Sequence, residues 1–538
     1  MTVSRPIDTR LLDRRCLIFC LLLLGIAVAY PTLRLLFETV SNWQSGVIFA
    51  GAGWAAIRNT FVISLASVIT AGIVGTSLAF VFSRFLFRGR DALAALAHLP
   101  FALPPLVGVL SFYYLIGRDG LLPQVAERLL GIADVSLEGP FAILIVHTYS
   151  FFVFYYVMVS AAIENLDAAQ VEVARTLGAR RLRVLTQVVL PALRPALLGA
   201  ALLTFMSSVA SFSAPYFFGK DFPMLSVRIY NERMQFHDAE ALTLTVVLAA
   251  ISLLGLILFR SSRKTGGSAS KGIRAPIRSR VARVIIPALL WMVIILLLVP
   301  HLCIVWLSFV DHRAWHTELI PTHFTLENFA LLIEDPRCFS PIRNSLWMSA
   351  LAALLALLTA LPAGYLVGRK RLGSRFLYLI VMLPWALPGT VIAMNMIVAF
   401  NDPWLPLYNT VWLLPLAYFV RGVPLAARMV IAAIEPFDAS LVEAGRTLGA
   451  SRRFCLIHIV TPLLAPAFVM AATLVFVTSL GEFVSSIMLY MPTNIPIAVK
   501  INMEWRGSVG AAFAYSMLLM IIVAATFAAA RRLAVRTI

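Results

Sequence analysis

Few charges in this sequence stand inside long apolar stretches, and those few are where chemistry is expected. Glu482 lies in TSLGEFVSS, and Arg421 and Arg428 share one face of a single apolar run on a helical reading. A charge at mid-membrane depth costs about 2.5–3.5 kcal/mol, so such residues face protein or a watered path. Glu482 and Arg421 then either read the charge of a passing solute or form a structural ion pair, and the sequence leaves both open. Arg428 suits a side chain reaching to the membrane interface. Ser211 and Ser213 in VASFSAPYF, and Ser485 just after Glu482, complete the polar candidates for a translocation pathway.

Other reactive types give weaker patterns. His312 and His316 stand near Asp311, His323 and Glu327, and on a helix the two histidines would share a face able to hold a metal. A solvated outer loop over 311–342 is the favoured reading, and no metal ligand is assigned. His98, His147, His301 and His458 stand alone and are read as structural. The doublets Tyr113-Tyr114 and Tyr155-Tyr156 read as aromatic packing or interface anchors rather than phenolate ligands. Cys16, Cys20, Cys303, Cys338 and Cys455 show no metal or redox spacing, and no disulfide framework is expected. A phosphate-binding G-x4-G-K-[ST] loop is missing from the sequence; GGSASKG, in the middle of the chain, lacks the spacing. No catalytic residue and no cofactor site is assigned.

The elements that position these residues follow from composition. Of 538 residues 60% are hydrophobic and 13% charged, with mean hydropathy +0.89, too little polar surface for a soluble protein. An all-α polytopic membrane protein is expected, with about twelve spans: 16–37, 58–82, 93–116, 139–161, 193–218, 238–259, 284–310, 344–367, 376–400, 409–432, 463–490 and 508–530. The net charge of +18 invites a nucleic-acid reading, but most basic residues fall in alternate connectors. That is the positive-inside pattern, and it places both termini in the cytoplasm with no nucleic-acid partner. The N-terminal apolar run and Ala27-Val28-Ala29 imitate a cleaved signal peptide, yet the run continues to Phe37 and is expected to be retained. Pro104-Pro105 and Pro388-Gly389 either break or merely kink their spans.

The chain repeats itself. Arg58-Asn59-Thr60-Phe61 returns as Arg343-Asn344-Ser345-Leu346, and LPFALPP as LPWALPG, in the same order relative to the spans. Two parallel six-helix halves, 1–259 and 284–538, are expected, joined by a Gly/Ser/Lys/Arg-rich linker at 260–283. The most informative repeat is EVARTLGARRLRVLTQVVLP, 172–191, against EAGRTLGASRRFCLIHIVTP, 443–462. Half of the paired positions are identical. The shared pattern is an amphipathic helix, a glycine turn, a second helix and a proline leading into the next span. Such a segment suits docking into a groove on a soluble partner, with Glu172 or Glu443 meeting a basic group. The same register pairs Glu482 with Ser211, so the two halves differ in charge there.

This spacing resembles the "EAA" motif of binding-protein-dependent ABC importer permeases, whose coupling helix inserts into a cleft of an ATP-binding subunit. Glu172, Ala174 and Gly178, with Glu443, Ala444 and Gly449, are the positions that match. Val173 departs from the pattern in the first copy; Gly445 and Thr461 depart in the second. Two copies in one chain resemble the fused permeases for ferric iron, thiamine, phosphonates or related solutes. The resemblance implies the type I permease fold and two copies of an ABC ATP-binding subunit. It also implies ATP and Mg bound on those subunits, a periplasmic solute-binding protein, and the bacterial inner membrane with its lipid. SLGEF and SFSAPYFFG look most like the ferric-iron branch, with thiamine, aminoethylphosphonate and polyamine permeases as competitors. A secondary transporter of major-facilitator type is the alternative class, but its G-x3-D loop pattern is missing.

Overall fold

The computed structural model describes residues 9–49, 51–118, 120–132, 135–259, 275–276, 279–311, 318, 322–371 and 373–536. His312 and His316, and most of the linker, lie outside them. Helices dominate, and the one sheet among the described residues is a two-residue parallel bridge between Phe85–Leu86 and Ala275–Pro276. Among the described residues ten helices are long and apolar enough to cross a membrane, and two bent helix pairs raise the number to as many as twelve. All five cysteines are free.

Several expected spans are not single helices. The span at 376–400 divides into Ser374–Ala386 and Gly389–Phe400, which meet at 110°. The span at 93–116 turns by 99° between Arg90–Phe101 and Pro105–Leu130. Each bend has the same cause. Leu103 and Leu387 precede a proline and are extended, and Pro104 and Pro388 can donate no hydrogen bond back into the helix before them. The expected spans 193–218 and 463–490 need correction too. They stop at Val209 and Leu480, and short helices Ser213–Phe218 and Val484–Leu489 follow after an unwound step. Ser211 and Glu482 sit in those two steps, where freed backbone groups need polar partners.

The described chain forms two compact units, and they cut it differently from its sequence repeats. One unit comprises 1–43 with 324–538; the other is 44–323. The leading helix of each half therefore packs with the body of the other half. In the first unit, Tyr30 donates to the Ala399 carbonyl at 3.2 Å and Asn395 to Thr32 Oγ1 at 3.3 Å, while Arg34 pairs with Asp402 at 3.2 Å. In the second, helix Arg280–Ser308 receives Tyr149, whose hydroxyl donates to the Leu297 carbonyl at 3.3 Å. The repeat marks where duplicated segments meet; packing marks which helices share a core.

Within each unit the long helices approach closely through small residues. A Cβ on Gly75 would lie 2.2 Å from the Phe152 carbonyl oxygen, and one on Gly364 would lie 2.4 Å from Val430. Helix Gly51–Arg84 thus seats on Gly139–Glu164, as Pro336–Gly368 does on Leu413–Ile434. Tyr155 serves the first of these contacts, donating to the Val68 carbonyl, while Tyr156 donates to the Ala94 carbonyl on helix Arg90–Leu96.

Candidate functional site

The two repeated cassettes fold alike, except that the helix of the second starts one residue later in the shared register. Asp167 caps helix Ala168–Thr176 by accepting from the Ala169 amide at 2.9 Å. Asp438 does the same just before helix Ser440–Thr447, accepting from the Ser440 amide at 2.9 Å. The Ser440 amide and hydroxyl hold the exposed Asp438 carboxyl below its usual range. Each helix ends in a paired C-terminal closure. Gly178 N–H bonds to the Arg175 carbonyl and Ala179 N–H to that of Ala174; Gly449 bonds to Arg446 and Ala450 to Gly445, all at 3.0 Å. The closure needs a left-handed residue, and Gly178 and Gly449 have φ of 80° and 88°. Nothing lies within 4 Å of a Cβ built on either, so backbone conformation alone demands glycine.

A four-residue helix follows each turn, then a single π-helical turn, Leu185–Val189 and Leu456–Val460, before Pro191 and Pro462 enter the next span. π-turns of this kind cluster at functional sites. The cassettes present Glu172, Glu443 and Ala444 to solvent, with Leu177 and Leu448 82% and 88% exposed at their tips. Ala174 is half-buried. Gly445, the apparent departure from the pattern, has a packing cause. A Cβ there would lie 2.9 Å from Ile459 Cδ1 and 3.2 Å from Cys455 Sγ. In the first cassette the corresponding residues are Ala174 and Val188, one methyl more on the helix and one less on its neighbour.

The pathway candidates separate into two clusters, one in each compact unit. In the first unit Arg421 Nε lies 2.8 Å from Glu482 Oε2. Glu482 Oε1 accepts from both the amide and the hydroxyl of Ser485 at 3.0 Å, fixing the start of helix Val484–Leu489. Ser486 donates to the Glu482 carbonyl, and Tyr418 Oη lies 2.7 Å from Ser486 Oγ. The two charges named from the sequence are therefore one ion pair. Arg428 stands apart, 3.5 Å from the Tyr378 hydroxyl and exposed.

The second unit has a neutral counterpart that sequence reasoning missed. The register that superposes Glu172 on Glu443 also superposes Ser211 on Glu482, His147 on Tyr418 and Ser150 on Arg421. His147 is buried, with Nε2 at 2.9 Å from Ser211 Oγ and Nδ1 at 3.0 Å from Ser67 and 3.1 Å from Ser208. Ser67 already donates to the Ile63 carbonyl at 2.7 Å. We therefore assign the ring hydrogen to Nδ1, leaving Nε2 to accept from Ser211. Ser211 in turn offers its carbonyl to Ser226 at 2.5 Å. Each unit thus pins its unwound step to a neighbouring helix, by neutral bonds in one and by charge in the other. Ser213 is buried at the start of the short helix Ser213–Phe218. Reading His147 as solitary hid this; its alignment with Tyr418, at the same remove from the cassette, was the available signal.

Glu232, His237 and Glu240 bring potential metal-ligating atoms within 4.8 Å of one another. Glu232 is already paired with Arg228, and its other oxygen lies 2.8 Å from His237 Nδ1. Lys500 and Glu504 repeat the basic–acidic pair at 2.6 Å in the other half, where no histidine accompanies it. The duplication marks the pair as structural.

Residues 69–264 and 356–538 each match the family described as "Binding-protein-dependent transport system inner membrane component". The chain belongs to that family. It is therefore a multi-pass permease component of the bacterial inner membrane, and its family implies ATP-binding and solute-binding partners in general. The double match sets aside the secondary-transporter alternative. Among relatives, a "Probable ABC transporter permease protein y4fN" of Sinorhizobium fredii is 30% identical over 83% of this chain and 81% of its own. The "Ferric transport system permease protein FbpB" of Actinobacillus pleuropneumoniae is 28% identical over 95% of this chain and 76% of its own. The "Sulfate transport system permease protein CysT" of Salmonella typhimurium is 31% identical over 37% of this chain and 73% of its own.

Proposed function

We propose that this chain is the fused transmembrane subunit of an ATP-driven importer, both halves of the permease in one polypeptide. Two copies of a separate ATP-binding subunit dock on the two cassettes from the cytoplasm, where both termini also lie. ATP and Mg are bound there and not on this chain. A periplasmic binding protein delivers the solute, and ferric iron is the solute we favour, because the FbpB relative aligns over nearly the whole chain. Relatedness to a sulfate permease keeps the substrate class open to experiment.

The duplicated cassette carries this reading. Two exposed helices, each with an aspartate bonded at its start and each with the same left-handed glycine closure, project Glu172 and Glu443 for docking. Closure of an ATP-binding dimer moves them together, and the rigid turn passes that motion to the spans beginning at Pro191 and Pro462. Ser211, Ser213, Arg421, Glu482 and Ser485 are the residues we place on the translocation path.

The test is reconstitution of the chain with its co-purifying partners. ATP hydrolysis and uptake are measured with ferric iron, thiamine, aminoethylphosphonate, sulfate and spermidine. Stimulation by ferric iron alone is expected. Charge reversal at Glu172 together with Glu443 should uncouple hydrolysis from uptake or release the ATP-binding subunit. Normal uptake by that variant, or uptake driven by a proton gradient without any ATP-binding subunit, refutes the proposal.

A further inference from the structure

The Arg421–Glu482 pair is not symmetric in what it offers a solute. Glu482 is buried, and both carboxylate oxygens are engaged, one by Ser485 and the other by Arg421 Nε. The Arg421 side chain is one-third exposed (33%), and Glu482 is its ion-pair partner among the described residues. Held at Nε, a guanidinium keeps its two terminal nitrogens for another acceptor, in a fixed planar fork that suits oxyanions.

The bend at Pro388 adds to this. A Cβ on Gly389 would lie 2.5 Å from Arg421 Nη1, so the bare glycine is what lets the guanidinium lie against the helix start. Helix Gly389–Phe400 begins there, and its first helical hydrogen bond runs from Ile392 N–H to the Pro388 carbonyl. The amides of Gly389, Thr390 and Val391 precede it, at the end of the helix that carries partial positive charge. Thr390 is fully buried and its hydroxyl has no hydrogen-bond partner. In the other half the same positions hold Pro105, which has no amide hydrogen, and Ser150 and Ser211, which have no charge.

We propose that Arg421 is a solute-contacting, specificity-determining residue that takes an oxyanion, with Glu482 and Gly389 as the residues that position it. This rests on the permease reading above and narrows it. The solute presents a carboxylate, phosphate, phosphonate or sulfate group, and ferric iron, if it is the cargo, crosses with such a group still attached. The ion pair is formally neutral, but its exposed side is the guanidinium and its carboxylate is buried, and the helix N-terminus at the bend adds partial positive charge on the same side. Only one of the two halves has it, so one such group is read per solute.

The test uses the assembled transporter in proteoliposomes with its co-purified binding protein, whose cargo is identified by mass spectrometry and metal analysis. The measured quantity is solute moved per ATP hydrolysed, which a merely structural ion pair would not alter selectively. Arg421→Gln is expected to lower that ratio at least tenfold, Arg421→Lys to lower it less, and Gly389→Ala to lower it by displacing the guanidinium. Exchange of the pair, Arg421→Glu with Glu482→Arg, keeps a salt bridge but reverses the exposed charge. Co-elution of the ATP-binding subunit checks assembly in every case.

A ratio lowered more than tenfold in the exchanged variant supports the proposal; a ratio within twofold of native overturns it. Should that variant not assemble, a Gln variant that matches native at position 421 overturns it equally. A cargo without an oxyanion group, such as thiamine or spermidine, overturns it while leaving the importer reading intact. Failure of the native chain to bring down any ATP-binding subunit sinks the importer reading instead.

Discussion

Gly445 offers the sharpest check on how the cassettes are built. Adding a methyl there has two opposed effects. Alanine is a better helix former than glycine by about 0.8–1 kcal/mol. Its Cβ would also sit 2.9 Å from Ile459 Cδ1 and 3.2 Å from Cys455 Sγ, and overpacking of this kind costs about 1–3 kcal/mol. Gly445→Ala alone should therefore be neutral to destabilising by about 2 kcal/mol. Ile459→Val alone removes the methyl in the way and should cost about 0.5–1.5 kcal/mol. Together they recreate the Ala174–Val188 pairing of the first cassette; the closer contact is gone, only the 3.2 Å approach to Cys455 Sγ remains, and most of the helix-propensity gain is released. A favourable coupling energy of about 1–2 kcal/mol should appear in the double-mutant cycle, because the two groups are in contact. The assay is amide hydrogen exchange at Leu448 and Ala450, whose N–H groups bond to the Ala444 and Gly445 carbonyls inside the helix. Each ~1.4 kcal/mol is tenfold in protection, so the double variant should be protected roughly tenfold better than the product of the singles. Strict additivity would refute the packing account of Gly445.

Other consequences are as direct. Replacing Gly178 or Gly449 by alanine forces a left-handed backbone on a residue with a Cβ, at about 1–2 kcal/mol, whereas asparagine should cost less; amide exchange at Ala179 and Ala450 reports both, and equal losses would disprove the conformational argument. His147→Ala removes the partner of three serines and should lower the thermal stability of the purified chain, by about 1–3 kcal/mol, more than Tyr418→Phe, which leaves Ser486 still bonded to the Glu482 carbonyl. The Asp438 cap depends on the carboxylate, whose folded pKa is lowered, so its contribution is complete above the ordinary carboxylate pKa and disappears as pH falls through the lowered value. Amide exchange at Ser440 followed from neutral to acid pH should show protection lost only in that acid range, and Asp438→Asn should flatten the profile.

Much of this molecule was legible because membrane helices advertise themselves. Long apolar runs, alternating basic connectors and the duplicated glycine turn each follow from one physical constraint acting locally. The paired closures at Gly178 and Gly449 were readable because the left-handed position leaves few alternatives to glycine. What stayed hidden depends on helices distant in sequence. Glu482 and Arg421 were both identifiable as costly charges, but their 2.8 Å pairing is fixed by how helix Leu413–Ile434 lies on the unwound step. The exchange of leading helices was hidden for the same reason. Tyr30 and Arg34 find their partners at Ala399 and Asp402, far along the chain, and no local pattern encodes that choice.

The two unwound steps show why duplication with divergence suits such a molecule. A transmembrane helix that unwinds before the next short helix begins must satisfy its freed carbonyls and amides, and the solution is the same in both halves: a side chain from the neighbouring helix bonded across the gap. One half has the neutral version, His147 to Ser211, in which both ring nitrogens are bonded to serines and no charge is present. The other uses Arg421 with Glu482, where saturation of the acid still leaves part of the base exposed. Once a first half holds the architecture with neutral bonds, the second can carry a charge without risking the fold. The two halves share a scaffold and differ at this step in charge, so on the proposal above changes at Arg421 should alter solute transport while changes at His147 should alter whether the protein holds together.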